Sequence, residues 1–303
     1  MSLIEKAIEK MRADSGAHVP RGVATTRPLS AASRVEAPVP AVPADPATQP
    51  VHSAKKIFLD RNALRGVAYF PEAGSESRFA NYYRQIKRPI LHRAFAPGAP
   101  GDARLVMLSS ALPSDGKTFN SLNLALSMAR ERDTSVLLVD ADVPKPKISN
   151  VLGIAGERGL LDAVVNETLD PESLVIRTDI RGLELLASGT PADNASELLT
   201  SARMKQIGAR LLNSNPRRIV LFDAPPLLVS SEARALLTLP GQIVLVVRAG
   251  KTPRRAVQDA LDLVDEEKLT GLVLNDGYGG LSDSYYNGYA SYDSEDNKKT
   301  SAE

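Results

Sequence analysis

The chain has 303 residues, 43% of them apolar, enough for one large domain or two small ones around a buried core. Lysine and arginine (37) nearly balance aspartate and glutamate (36), so no overall charge points to nucleic acid or an anionic membrane surface. Cysteine is absent, which excludes disulfides, thiolate metal ligands and a cysteine nucleophile.

The N-terminus, MSLIEKAIEKMR, carries charge at every turn and has no unbroken apolar run, unlike a signal peptide. Ser2 and Glu5 form a capping-box pattern, and Leu3, Ile4, Ala7, Ile8 and Met11 share one face. This predicts a short amphipathic helix over residues 1–13, too short to stand alone and expected to dock on a partner. Residues 14–54 hold seven prolines, from Pro20 to Pro50, among many Ala, Val and Thr. That composition predicts a flexible, partly extended linker. No window approaches the roughly 18 consecutive apolar residues that cross a bilayer. A cytoplasmic chain is expected, held at the inner membrane only through a partner.

A folded domain is expected over residues 55–275. In ESRFANYYRQIKRPIL the helical pattern is predicted to end at Pro89, because proline restricts the residue before it. From Gly101 onward apolar strands alternate with amphipathic stretches. RLVMLSS, SVLLVDAD, LELLAS, RRIVLFDAPP, QIVLVVRAG and LTGLVLND read as strands. KTFNSLNLALSMARER, ASELLTSARMKQIGARLLN, Glu232–Leu239 and Arg254–Val264 read as helices. The alternation predicts an α/β fold, a mostly parallel sheet with helices on both faces.

SSALPSDGKTFNSLNLA follows the first clear strand and opens a helix. Its core, Ala111–Thr118, has the pattern A-x-x-x-x-G-K-T, in which backbone N–H groups and a helix start wrap a polyphosphate. Lys117 would reach the outer phosphates, Thr118 would take one magnesium position, and Gly116 would let the backbone approach closely. The first position is Ala, not the usual Gly. Asp140, Asp142 and Asp223 end two later apolar runs. Ligands of open parallel sheets lie at the carboxyl ends of the strands, so all three acids can converge on the phosphates. One would sit near magnesium and one near an attacking hydroxyl.

These three motifs, with VDADVPKP as the second and LFDAPP as the third, resemble those of bacterial tyrosine autokinases, which share the P-loop NTPase fold. The likeness covers Leu105 to Asn275 and includes GLLDAVV, ASGTPADNASELL and VVRAGKT. SLIEKAIEKMR and YRQIKRPIL resemble the subgroup at exosortase-linked exopolysaccharide loci. The resemblance implies an ATP- and Mg2+-dependent protein-tyrosine kinase that modifies its own C-terminal tail and regulates polysaccharide polymerisation and export. It implies catalytic Lys117, Asp140 and Asp142, with nucleotide contacts from Ser114, Asp115, Gly116, Lys117, Thr118 and Phe119. Thr118, Asp140 and Asp223 would hold the metal. Asn275 matches an asparagine that reads adenine in related ATPases. Implied partners are the cytoplasmic segment of a membrane co-polymerase and further copies of the chain, with a cognate tyrosine phosphatase a candidate. The family's E-x-x-R-x-x-R ring motif is here NYYRQIK, with Asn81 and Lys87 at two of its three positions. Lys lacks the planar fork of Arg, which weakens the case for a ring through this helix. A partitioning or division-site ATPase is the alternative, but its signature lysine is replaced by Leu112.

Five of the eight tyrosines (Tyr278, Tyr285, Tyr286, Tyr289 and Tyr292) fall after the last strand, among Gly, Ser, Asn and Asp. A flexible tail over residues 276–303 is expected, with these phenols as phosphoacceptors. Extended, it would reach roughly 50 Å by Tyr292, enough to enter a neighbouring subunit.

Overall fold

The computed structural model describes residues 55–62, 64, 66–68 and 78–277. The predicted N-terminal helix, the proline-rich linker and the tyrosine cluster lie outside the described residues. Among those described, eight strands form one sheet in the order β1-β4-β5-β3-β6-β2-β7-β8. They are β1 (Lys56–Ile57), β2 (Leu105–Ser110), β3 (Ser135–Asp140), β4 (Ile176–Thr178), β5 (Leu183–Leu186), β6 (Arg218–Asp223), β7 (Gln242–Arg248) and β8 (Leu269–Asn275). All neighbouring pairs are parallel except β4 with β5.

The central strands read as continuous apolar runs because both sheet faces are covered. Side chains alternate across β2: Val106 and Leu108 join one core with Val136, Leu138, Ile219, Leu221, Val244 and Val246. Helices α1 (Arg78–Phe95) and α2 (Lys117–Met128) close that side through Tyr83, Ile90, Leu122 and Leu126. On the other face, Gly208 of α6 (Ala202–Asn213) packs closely against Leu105 and Leu239. The remaining helices are α3 (Lys147–Val151), α4 (Leu160–Val165), α5 (Ala195–Thr200), α7 (Ser231–Leu236) and α8 (Arg254–Leu261), with a 3-10 turn at Pro171–Leu174.

Two expectations are corrected. Helix α1 does not end at Pro89 but continues to Phe95 with the proline inside it. Burial decides this: Ile90 and Ala94 enter the core, and the Ile90 carbonyl accepts from Gln242 Nε2 at 3.0 Å. The single helix expected over residues 195–213 is two, α5 and α6, broken at Ser201. Ser201 is extended there (ψ 158°), and its hydroxyl caps α6 by accepting from Met204 N.

Lys87 is buried, its ammonium 2.8 Å from the Ser127 carbonyl and 2.7 Å from Glu131 Oε1. It clamps α1 to the end of α2 and is engaged within the chain. Among the described residues no helix is long and apolar enough to cross a membrane.

Candidate active site

The loop between β2 and α2 is shaped by two left-handed residues, Ser114 (φ 66°) and Gly116 (φ 99°). Alternation of this kind turns successive N–H groups toward one concavity, a backbone nest for anions. A Cβ on Gly116 would lie 2.0 Å from Asn275 Nδ2, so only glycine fits. Helix α2 starts here with no side-chain cap and no acid in its first turn. Its first N–H groups are therefore offered to a ligand.

Side chains pin this loop from several directions. Asp115 accepts from Leu112 N (3.0 Å) and from the Thr252 hydroxyl (2.7 Å), so its carboxylate is a staple that faces inward. Asn275, at the end of β8, donates to the Asp115 carbonyl at 2.9 Å. Asn120 Nδ2 donates to the Gly116 carbonyl at 2.9 Å. The Phe119 ring turns away to meet Phe79 of α1 edge-on at 5.8 Å, leaving its backbone on the loop side. Arg248 Nε pairs with Asp276 at 2.7 Å near the loop's rim.

The three acids gather beside the loop. Asp140 and Asp223 are register partners on adjacent strands, and neither has exposed surface. Asp140 Oδ2 accepts from Ser149 N at 2.7 Å, and Asp223 Oδ1 accepts from the Ser121 hydroxyl at 2.9 Å. Asp142 Oδ2 meets Lys117 Nζ at 2.5 Å, both side chains buried. Burial pushes the Asp140 carboxyl up to about 7, with repulsion from Asp223 and Asp142 adding to it and the Ser149 N–H opposing it. Burial likewise raises Asp223 to about 6, held down in part by the Lys117 charge.

Four buried side-chain polar atoms among the described residues lack a partner, and three are Thr118 Oγ1, Asp140 Oδ1 and Asp223 Oδ2. Buried oxygens are normally satisfied. Three such oxygens on hydroxyl and carboxylate groups suit a hard divalent cation, which favours oxygen ligands. The donor set therefore fits magnesium.

Lys117, Thr118, Asp140, Asp142 and Asp223 are brought together as the sequence suggested, whereas the Asp115 and Phe119 side chains point elsewhere. Asn120, Ser121, Ser149 and Thr252 were not anticipated. Asn120 and Ser121 had a usable signal, since polar residues one helical turn past a phosphate loop must face it or the core.

A nested loop between strand and helix, a lysine at its end and carboxylates across the neighbouring strand tips together define a P-loop nucleotide-binding α/β protein. No family model matches the chain. It is 30% identical to tyrosine-protein kinase YwqD of Bacillus subtilis (strain 168) over 194 residues, 63% of this chain and 78% of that one. Against CapB of Staphylococcus aureus the identity is 26% over 213 residues, 70% of this chain and 90% of that one. The succinoglycan biosynthesis transport protein ExoP of Rhizobium meliloti (strain 1021) is 29% identical over 181 residues, 58% of this chain but 23% of its own length. Among solved structures, the VpsO kinase domain is 29% identical with a TM-score of 0.51, covering 67% of this chain and 100% of that one. The chimerical protein CapA2B2, at 24% identity, shares the fold with a TM-score of 0.58 over 73% of this chain and 92% of that one. The chain belongs to the bacterial tyrosine-protein kinase family. It is a protein-tyrosine kinase by that membership, not a partitioning-type ATPase.

Proposed function

We propose that this kinase uses ATP to phosphorylate its own C-terminal tyrosines, Tyr278, Tyr285, Tyr286, Tyr289 and Tyr292, with magnesium as cofactor. The observation that carries the reading is the trio of buried, unpartnered oxygens on Thr118, Asp140 and Asp223 beside an uncapped helix start. Magnesium, when bound, neutralises charge on the phosphate oxygens. The chain's own groups supply the remainder. Backbone N–H groups from Ser114 to Phe119 cradle the phosphates, and Asn275 contacts the adenine. Lys117 exchanges Asp142 for the outer phosphates, which frees that carboxylate. The tyrosine oxygen attacks the γ-phosphorus, and its O–P bond forms as the bond to ADP breaks. The phenolic proton passes to Asp140 or Asp142.

The succinoglycan-transport relative supports a role in polysaccharide polymerisation and export. In that reading the N-terminal helix and linker dock the chain on the cytoplasmic segment of a membrane co-polymerase, peripheral to the inner membrane. Each phosphate adds about −1.5 to −2 charges, so a fully modified tail would repel its neighbours and separate associated copies.

Incubation of the purified chain with labelled ATP and magnesium, followed by mass spectrometry, tests the reading. Phosphate on the tail tyrosines, lost in Lys117→Met, is expected. Free phosphate without labelled protein would refute it.

A further inference from the structure

We infer that Tyr83 is a positioning residue for the nucleotide, acting through Asn120 on the phosphate loop; the inference deepens the nucleotide reading above and rests on it. Tyr83 lies on α1 and is only 5% exposed. Its ring packs on Phe79 at 5.0 Å, a contact that phenylalanine would make equally well. The hydroxyl is therefore an addition with a buried polar cost, acceptable only with a partner. That partner is Asn120 Oδ1, at 2.9 Å.

Asn120 is itself nearly inaccessible and passes the contact on. Its Nδ2 donates to the Gly116 carbonyl at 2.9 Å, and its backbone N–H donates to the same oxygen at 3.0 Å. Both lone pairs of that carbonyl are thus taken. The Gly116–Lys117 peptide is planar and trans, so fixing its carbonyl on one side fixes the Lys117 N–H on the other. Lys117 N–H belongs to the nest that a polyphosphate would enter. The Tyr83 hydroxyl holds the Asn120 amide in the orientation that performs this fixing.

Helix α1 is not free to drift. The Phe79 ring meets Phe119 at one end, and the Lys87 ammonium grips Ser127 and Glu131 at the other. The position of α1 and the geometry of the loop are mechanically linked, and the Tyr83 hydroxyl is the part of that link that reaches the Gly116 carbonyl through Asn120.

Titration calorimetry of the full chain with ADP, paired with steady-state kinetics in ATP, tests this. Tyr83→Phe is expected to weaken ADP binding roughly three- to ten-fold, the loss of one hydrogen bond, and to raise KM for ATP more than it lowers kcat. In an Asn120→Ala background the same substitution should have no further effect on ADP affinity. A purely structural hydroxyl would instead lower the melting temperature and leave ADP affinity and KM at wild-type values. That result would overturn the inference, as would equal weakening with and without Asn120. A wild-type chain that bound no ADP would overturn the nucleotide reading itself.

Discussion

Asp140→Asn separates a carboxylate kept for chemistry from one kept for structure. Asparagine preserves the shape and can still accept from Ser149 N, the 2.7 Å contact that Asp140 makes. What it removes is a charge with no exposed surface beside Asp223. Because the Asp140 pKa rises from 3.8 to about 7 on folding, the folded chain holds its proton while the unfolded chain releases it. Stability from this group is intact below about 4 and is lost as pH rises toward about 7. At roughly 1.4 kcal/mol per pH unit, the ionised form costs the fold on the order of 4 kcal/mol at pH 7.5 and about 2 at pH 5. Asparagine has no such cost, so the variant should gain on wild type as pH rises. A difference of about 2 kcal/mol between the two pH values corresponds to roughly 4–8 °C in melting temperature for a body of this size. Thermal melts of both proteins at pH 5 and 7.5 measure it, and the same preparations should lose about 10²–10⁴ in phosphotransfer rate. A melting difference between variant and wild type that does not change from pH 5 to pH 7.5 would refute the reasoning, and an undiminished phosphotransfer rate would make Asp140 a structural cap.

Other perturbations follow from the same geometry. Gly116→Ala places a methyl 2.0 Å from Asn275 Nδ2 on a residue at φ 99°, and calorimetry should find ADP affinity lowered by more than about tenfold. Arg218→Ala strips the buried cation that holds Glu172 at 2.7 Å and Glu184 at 2.8 Å; a loss of about 3–5 kcal/mol in denaturant unfolding is expected. Its ADP affinity should stay unchanged, since Arg218 begins β6 and Asp223, at the site, ends it. Removing residues 1–53 should leave ADP affinity and melting temperature near wild type, because the proline-rich composition of residues 14–54 is that of a linker.

The core strands were legible because a parallel sheet covered on both faces needs apolar side chains on both: β2, β3 and β6 each hold four consecutive apolar residues. The phosphate loop was legible because its chemistry fixes residue types at fixed spacing. The short strands β1 and β4 were not, since two or three residues carry no period of their own and depend on a neighbouring strand. Pro89 misled because its local cost is set against burial of Ile90 and Ala94, which only the tertiary structure reveals. The same holds at the site. That Asp115 turns inward to Thr252, some 137 residues away, is a property of the fold and not of the motif.

The contacts around the loop divide the labour at this site. Asp115 with Thr252, Asn275 with the Asp115 carbonyl, and Tyr83 through Asn120 with the Gly116 carbonyl reach the loop from three separate parts of the chain. Each satisfies a group that points away from the nest, so the backbone is held without occupying the N–H groups that would receive phosphate. Preorganisation of this kind means that binding need not order the loop, which leaves more of the interaction available to stabilise transferring charge. The groups facing the nest are treated in the opposite way. Thr118, Asp140 and Asp223 each keep an oxygen without a partner, and Lys117 is paired with Asp142. A site that satisfies the groups behind its loop and leaves its reactive face unsatisfied has concentrated the cost of burial where a cation and a polyanion together would relieve it.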